Sequence, residues 1–224
     1  MQNTKETRQI GESINEFIQK HRKPIFICVG VLVLALIVFF TALAFRNMFT
    51  RKAINAVEEL GTRYEELLPS IWEEYMAGDI NELLNDLESF ARKNSGYAAS
   101  KAWSIMGNIH SELEEWEEAE AVWVSAAKAG VKIYLAGIAW FNAAAAAEEQ
   151  GKTETAIEYY IRSISAPAGF AGASRAQFSV GRLWESLDET DAAIEAYRAV
   201  ISEWPHETTW VNMAHSRIIS LESK

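Results

Sequence analysis

Histidine, cysteine and carboxylate side chains are the groups in this sequence that could bind a metal or transfer a proton, but their spacing fits neither task. The four histidines, His21, His110, His206 and His215, stand far apart, and the one cysteine, Cys28, lies in an apolar run. The sequence has no H-E-x-x-H zinc motif and no glycine-rich phosphate loop. We therefore expect no catalytic residue, no metal site, no cofactor and no enzymatic activity.

The densest group of carboxylates is a run of five glutamates between residues 114 and 120. Such a run is typical of a solvated helix face, and we expect that role for Glu114, Glu115, Glu117, Glu118 and Glu120. Residues 47–224 carry 15 basic and 28 acidic residues. An acidic surface of this kind repels phosphate backbones, so nucleic acid is excluded as a partner.

One apolar run near the start of the chain is long enough to cross a membrane. Pro24 to Phe45 are 22 consecutive uncharged residues, which as a helix would extend roughly 33 Å. Ala42 and Ala44 form an A-x-A pattern, which leaves cleavage after Ala44 as an alternative. The length of the run and the 23-residue leader before it favour a retained anchor, and hence lipid contact through one span.

Lysine and arginine are more frequent before this run than after it. This bias predicts a cytoplasmic N-terminus and a periplasmic C-terminal domain, anchored in a bacterial inner membrane. The basic residues are Lys5, Arg8, Lys20, Arg22 and Lys23 before the run and Arg46, Arg51 and Lys52 after it. The predicted divisions are a leader over 1–23, a transmembrane helix over 24–45, a helical stalk or linker over 46–77 and a repeat domain over 78–224.

Small and aromatic residues recur every 37 positions in the second half of the chain. Small residues let two antiparallel helices approach closely, and aromatic side chains fill the space to the next pair. The pattern predicts an all-α solenoid with repeats at about 100–133, 137–170 and 174–207. The aligned sets are Trp103, Trp140 and Gln177; Gly107, Ala144 and Gly181; Ala119, Ala156 and Ala193; and Trp123, Tyr160 and Tyr197.

This pattern resembles the tetratricopeptide repeat, in which Trp, Leu-Gly and Tyr mark the first helix and Ala, Phe and Pro mark the second. The first unit carries Trp103, Gly107 and Ala119 at the matching spacing. The resemblance covers roughly residues 100–207. It implies about three and a half helical hairpins with a capping helix over 208–224, and a scaffold that binds proteins.

Two local predictions concern the helix ends. Turns are expected around Gly151 and Asp188, with Thr153 and either Asp188 or Thr190 as N-caps. Residues 46–68 have a helical apolar period that predicts an outward extension of the membrane helix as a stalk.

The family resemblance also implies a concave groove lined by the first helix of each pair. Phe141 and Phe178 would give that groove an apolar stripe suited to an amphipathic or extended peptide, and Ile138 occupies another groove position. The alternative is that the capping helix or the residues between repeats cover both phenylalanines. The candidate groove residues are Lys101, Asn108, Phe141, Glu148, Arg175, Phe178, Arg182 and Glu185.

The layout of leader, span and acidic repeat array is similar to that of YfgM-like ancillary subunits of the bacterial Sec translocon. That resemblance implies Sec translocon components or periplasmic chaperones as partners, together with homo-oligomerisation. The alternative is a structural assembly factor of a large envelope complex, such as a secretion system or a flagellar motor.

Overall fold

The computed structural model describes the backbone of residues 2–72 and 77–223, and the side chains of residues 19–24, 26–72 and 78–223. Every regular element in these ranges is helical, which confirms the all-α prediction. The side chains of Lys5 and Arg8, used above for orientation, lie outside the described part. The helices are α1 (Gln2–Leu67), followed by a 3-10 turn (Leu68–Ser70), α2 (Ala77–Lys93), α3 (Gly96–Glu112), α4 (Trp116–Ala129), α5 (Leu135–Glu149), α6 (Thr153–Ile164), α7 (Ala173–Ser186), α8 (Thr190–Glu203) and α9 (Thr208–Glu222).

The chain divides after Lys52 into two compact units. Within the first unit, α1 exposes its large apolar side chains from Phe26 to Phe45. Among the described residues, this is the one helix that is long and apolar enough to cross a membrane. A signal sequence near an N-terminus would meet the same criterion, so both alternatives from the sequence stay open.

The second unit begins at Ala53 and is a solenoid of helices that pack in chain order. Helices α3 and α4, α5 and α6, and α7 and α8 form three hairpins, and α9 packs on α8 at the end. Alanine is the most frequent residue of the core, and each hairpin adds several large buried side chains, one of which is the aromatic residue of the repeat pattern. The predicted core residues Trp123, Tyr160 and Tyr197 are all buried, which confirms their role.

The helices of a hairpin approach most closely where an aromatic ring meets a glycine. A methyl group placed on Gly107 would lie 2.5 Å from the Trp123 ring, and one on Gly181 would lie 2.6 Å from the Tyr197 ring. Because side chains in van der Waals contact stay more than 3 Å apart, only glycine fits these two positions without a shift of the ring. The small residues of the repeat therefore set the distance between paired helices.

The connection inside each hairpin has the same backbone path in all three repeats. Glu114, Gly151 and Asp188 have φ of 58°, 71° and 60°, and the next residue donates its N–H to a carbonyl five positions back, as at Lys152 to Ala147 (2.9 Å). This is the Schellman arrangement, which ends a helix with a left-handed residue. The Gly151 and Asp188 turns are thus confirmed.

The predicted N-caps are wrong. Thr153 and Thr190 are the first residues of α6 and α8, and the cap positions belong to Lys152 and Glu189, neither of which makes a side-chain cap bond. Asp188 holds the left-handed position instead. In the α6 and α8 connections the residue after the left-handed position of the Schellman turn is the N-cap of the next helix. The turn therefore determines which residue occupies the N-cap position.

The predicted stalk divides between the two units. Val57 is fully buried in a cluster with Leu83 and Leu87 of α2, and Leu60 and Tyr64 pack against the same cluster. The apolar period at the end of α1 therefore belongs to the repeat domain, because it has α2 and α3 to pack on. A cleft of about 770 Å³ lies on this helix pair, lined by Leu60, Arg63 and Phe90 among others.

We expect Gly107→Ala to lower the free energy of unfolding by up to about 2 kcal/mol. Overpacking against the buried Trp123 ring costs about 1–3 kcal/mol, and the better helix propensity of alanine returns about 1 kcal/mol. The matched control is Gly61→Ala, where the nearest atom would be Ile105 Cδ1 at 3.7 Å, and which should gain up to about 1 kcal/mol. Urea unfolding of the full chain in detergent, followed by circular dichroism, measures both. Equal effects of the two substitutions would contradict the close-packing explanation.

We expect Glu114→Gly to stabilise the chain by about 0.5–1 kcal/mol. Glutamate in a left-handed conformation costs about 1–2 kcal/mol, part of which glycine gives back as entropy of the unfolded chain. Asp188→Gly should gain less, because aspartate tolerates this region better, and Gly151→Ala should destabilise. The same unfolding experiment ranks the three variants, and any other order would argue against strain at these turns.

Candidate partner-binding face

The first helices of the repeats lie side by side and are joined by polar contacts. Lys101 of α3 pairs with Glu58 at the end of α1 (3.3 Å), and Arg182 of α7 pairs with Glu148 of α5 (2.6 Å). These contacts bring the candidate groove residues of successive repeats onto one face. We call this row of α1 (from Ala53), α3, α5, α7 and α9 the A face.

Glu148 is the centre of a three-residue polar contact that spans core and surface. Its carboxylate accepts a hydrogen bond from the hydroxyl of the buried Tyr160 on α6 (3.3 Å) and forms an ion pair with Arg182 of the next repeat. One carboxylate thus links both helices of its own hairpin to the first helix of the following hairpin.

The same arrangement recurs 37 residues later. Glu185 accepts the hydroxyl of Tyr197 (3.1 Å) and the Nε of Arg217 on α9 (3.1 Å), and a second guanidinium nitrogen of Arg217 bonds its other oxygen. In the first repeat the aromatic partner is Trp123, whose indole N–H donates to Ser111 (3.3 Å). The sequence period gave a signal for the tyrosines, but sequence reasoning assigned them only to packing and missed the carboxylates as their partners.

Burial raises the pKa of Tyr160 and of Tyr197, and the neighbouring carboxylate adds to the rise. The pKa of Tyr160 rises to about 12 beside Glu148, and the pKa of Tyr197 rises to about 12 beside Glu185. A tyrosinate here would be buried next to a negative charge, so the folded chain keeps both phenols protonated.

Two predicted apolar groove residues are covered. Phe178 is 8% exposed and its ring packs on Tyr197 (5.1 Å between centroids) and on Trp210 of α9 (5.5 Å). Phe141 is half-buried against Phe170 (5.5 Å). The open apolar stripe is therefore not formed, and the alternative of a cover by the capping helix and the residues between repeats is what the structure shows.

Arg175 completes the cover of Phe141. Its guanidinium lies over the ring at 4.9 Å from the centroid, a cation–π contact. The charged end of Arg175 remains exposed, so this part of the A face offers a cation and no free aromatic ring.

Exposed side chains are found along the whole A face, and on α9 Met213 and Ile219 are 43% and 68% exposed. Asn108 is exposed, and so is Ile138, with 38% of its surface accessible. Tyr134, just before α5, is 57% exposed and was missed because it stands in the residues between repeats, outside the aligned positions. Arg182 keeps an exposed side although it is paired with Glu148.

The glutamate run at the start of α4 is mostly a solvated face, as predicted, with one exception. Glu114, Glu115, Glu117 and Glu118 are exposed. Glu120 is instead held at the contact with the second repeat, where it pairs with Lys152 (2.8 Å) and accepts the side-chain amide of Gln150 (3.0 Å). That prediction was wrong for Glu120 because the neighbouring repeat brings its donors onto this residue.

The raised pKa of Tyr197 predicts a loss of stability at alkaline pH. Between pH 10 and 12 the unfolded chain loses this proton and the folded chain keeps it, so the free energy of unfolding falls as pH rises, by about 2–3 kcal/mol in all. Tyr197→Phe loses the bond to Glu185 and should be about 1–3 kcal/mol less stable than wild type at pH 9.

The gap between wild type and Tyr197→Phe should then narrow from pH 10 upward, because phenylalanine has no proton to lose. Unfolding midpoints at pH 9 and pH 11.5 test this, with Tyr134→Phe as the control for removal of a surface hydroxyl. A gap that stays constant across this window would show that Tyr197 ionises as readily in the folded chain as in the unfolded one.

Two matches to family models cover most of the solenoid. Models of the tetratricopeptide repeat match residues 106–169 and residues 175–206. A TPR repeat-containing protein of Treponema pallidum (strain Nichols) is 36% identical over 141 residues. That alignment spans 62% of this chain and 58% of the Treponema protein.

Solved structures agree on the fold. A tetratricopeptide repeat protein from Parabacteroides merdae superposes with a TM-score of 0.50 at 18% identity, over 72% of this chain and 61% of that one. The TPR-like repeats of a putative kinesin light chain from Podospora anserina give a TM-score of 0.50 at 11% identity, over 67% of this chain and 77% of that one. The helical hairpins of this chain therefore belong to the tetratricopeptide repeat family.

Proposed function

We propose that this chain is a membrane-anchored tetratricopeptide scaffold that holds a protein partner on the A face of its first two repeats. Tetratricopeptide repeats are protein-interaction scaffolds, and the family resemblance places binding on their first helices. Two parts of the proposal go beyond what is general to the family: that α1 anchors the chain in a membrane, and that the partner binds the first two repeats.

The exposure of individual side chains on the A face is the observation that carries the choice of binding face. Phe141 and Phe178 are covered, and Glu185 is engaged by Tyr197 and Arg217. Asn108 of α3 and Ile138 of α5 are accessible on neighbouring first helices. A partner gains binding energy by burying accessible apolar surface, so Ile138 is the proposed apolar contact of this site.

The proposed partner is a protein of the bacterial envelope. The apolar run of α1 would anchor the chain in the inner membrane with the repeats in the periplasm, the side that the lysine and arginine bias favours. A scaffold in that position would contact Sec translocon components or periplasmic chaperones. We propose a binding role and no catalytic one.

Site-specific photo-crosslinking in intact membranes tests the binding face. A benzophenone amino acid in place of Ile138 should capture a partner, whereas the same probe in place of Ile161 should not. Ile161 is a matched control because it is also isoleucine and is 46% exposed, against 38% for Ile138, but it lies on α6, a second helix. Mass spectrometry then identifies the captured protein.

The identity of the captured protein decides the finer proposal. A translocon component or a chaperone captured at 138 supports it, and a stoichiometric secretion or flagellar machine would favour the assembly-factor alternative instead. Capture at 161 alone would show that binding uses the second helices, and the A face proposal would then be abandoned.

A further inference from the structure

The connections between helices of the solenoid lie on two opposite edges. Successive helices run antiparallel, so connections within hairpins share one edge and connections between hairpins share the other. We call the edge with residues 112–118, 149–154 and 186–191 the distal edge. The proximal edge holds residues 93–96, 128–134 and 165–172.

The start of the second unit lies on the proximal edge. Glu58, five residues after Ala53, accepts the hydroxyl of Tyr97 (2.9 Å) and pairs with Lys101 (3.3 Å) near the start of α3. The paired helices of the next two hairpins are joined at the same level. The hydroxyl of Ser100 on α3 donates to the carbonyl of Ala126 on α4 (2.9 Å), and the hydroxyl of Ser163 on α6 donates to the carbonyl of Gly137 on α5 (2.8 Å).

The connections on the two edges differ in charge. The three distal connections contain ten acidic residues and a single basic one, Lys152. The first three proximal connections contain Lys93, Lys128 and Lys132, all exposed, and no acidic residue. The last proximal connection, between α8 and α9, carries Glu203 and Glu207, so the positive charge is confined to the part of the edge formed by the earlier connections.

Three acidic residues on the helices that lead to this edge are engaged in ion pairs. Glu58 pairs with Lys101 of α3. Glu88 pairs with Arg92, and Glu158 pairs with Arg162, each one turn apart on the same helix. These three carboxylates are therefore bound by side chains other than Lys93, Lys128 and Lys132.

Exposed apolar side chains stand among these lysines. Val131 is 49% exposed and Tyr134 is 57% exposed, on either side of Lys132. Lysines near helix C-termini are favoured by the helix dipole, and that explains Lys93 and Lys128. It does not explain exposed valine and tyrosine beside Lys132, which is not in a helix. Lysine with tyrosine and aliphatic side chains is the composition of surfaces that lie at a lipid headgroup layer.

We propose that the proximal edge binds the surface of an anionic phospholipid bilayer. Lysines 128 and 132 would contact headgroup phosphates, and Val131 and Tyr134 would enter the interface. The inference rests on the proposed anchor. Only seven residues separate Phe45 from Ala53, and the eight steps between these Cα atoms span about 29 Å at most, so the start of this edge at Ala53 stays within that distance of Phe45.

Fluorescence quenching in reconstituted vesicles tests this inference with the full chain. Val131→Cys on the proximal edge and Glu154→Cys on the distal edge are each made in a Cys28→Ser background and labelled with an environment-sensitive dye. Vesicles contain 70% phosphatidylcholine and 30% phosphatidylglycerol, with a headgroup spin-label quencher. We expect at least threefold stronger quenching at 131 than at 154. Replacing both lysines, as in Lys128→Glu with Lys132→Glu, or adding 0.5 M salt, should reduce that ratio toward one.

The proposed anchor and the proposed lipid contact of the proximal edge are tested separately. An alkaline wash before the measurement retains the chain in the vesicles if α1 spans them, and release would overturn the anchor and with it this inference. A retained chain with equal quenching at 131 and 154 would leave the anchor in place and overturn the inference. Quenching at 131 that is unaffected by salt and by the lysine substitutions would also overturn it, because the proposed contact depends on charge.

Discussion

The contact between an aromatic ring on the second helix and a bare Cα on the first determines how each outer hairpin of this solenoid is built. Trp123 on Gly107 and Tyr197 on Gly181 leave no room for a methyl group, and both rings are buried. The middle hairpin uses Ala144 and Tyr160 at the same positions, also buried. A small residue and an aromatic ring therefore face each other in all three hairpins, at positions that recur every 37 residues.

The same aromatic residues connect the core to the binding face. Each directs its polar atom to the residue twelve positions earlier, Ser111 in the first repeat and a glutamate in the next two. Glu148 and Glu185 each also form an ion pair with an arginine of the next first helix, Arg182 and Arg217 respectively. Ser111 is uncharged and forms no ion pair of this kind. The A face is therefore cross-linked in its last repeats by groups that are anchored in the core, and we infer that those repeats hold their shape when a partner binds.

The sequence was informative where the physics is local and periodic. Glycine, alanine and aromatic positions repeat because every hairpin solves the same packing problem, so the fold and the core at Trp123, Tyr160 and Tyr197 followed from the period. The cover over Phe141 and Phe178 was one of two alternatives that the sequence left undecided, because Phe170 lies between α6 and α7, and Trp210, which covers Phe178, belongs to the cap. Neither position has an equivalent in the pattern from which the groove was derived.

Other misses arose where one pattern fits two environments. An apolar period such as that at Val57 predicts a buried helix face but does not identify the helix that buries it. The end of α1 was therefore predicted to be a stalk, although it packs on α2. Threonine before a helix suggests a cap, but the left-handed turn at Gly151 fixes where α6 begins. In the first case a contact with a neighbouring helix determines the structure, and in the second a backbone turn does. The amino-acid composition of the segment is compatible with either alternative.

The two phenylalanines of the A face are covered by different parts of the chain. Phe170, which lies between α6 and α7, packs on Phe141, and the guanidinium of Arg175 lies over the same ring. Phe178 packs on Trp210 of α9. At the position of Phe141 the first repeat has Ser104, whose hydroxyl bonds the carbonyl of Ser100 (2.8 Å), so that repeat has no ring to cover at this position. The apolar stripe that the repeat pattern predicts is thus closed by residues outside the pattern, and Ile138 is left as an accessible aliphatic side chain on α5.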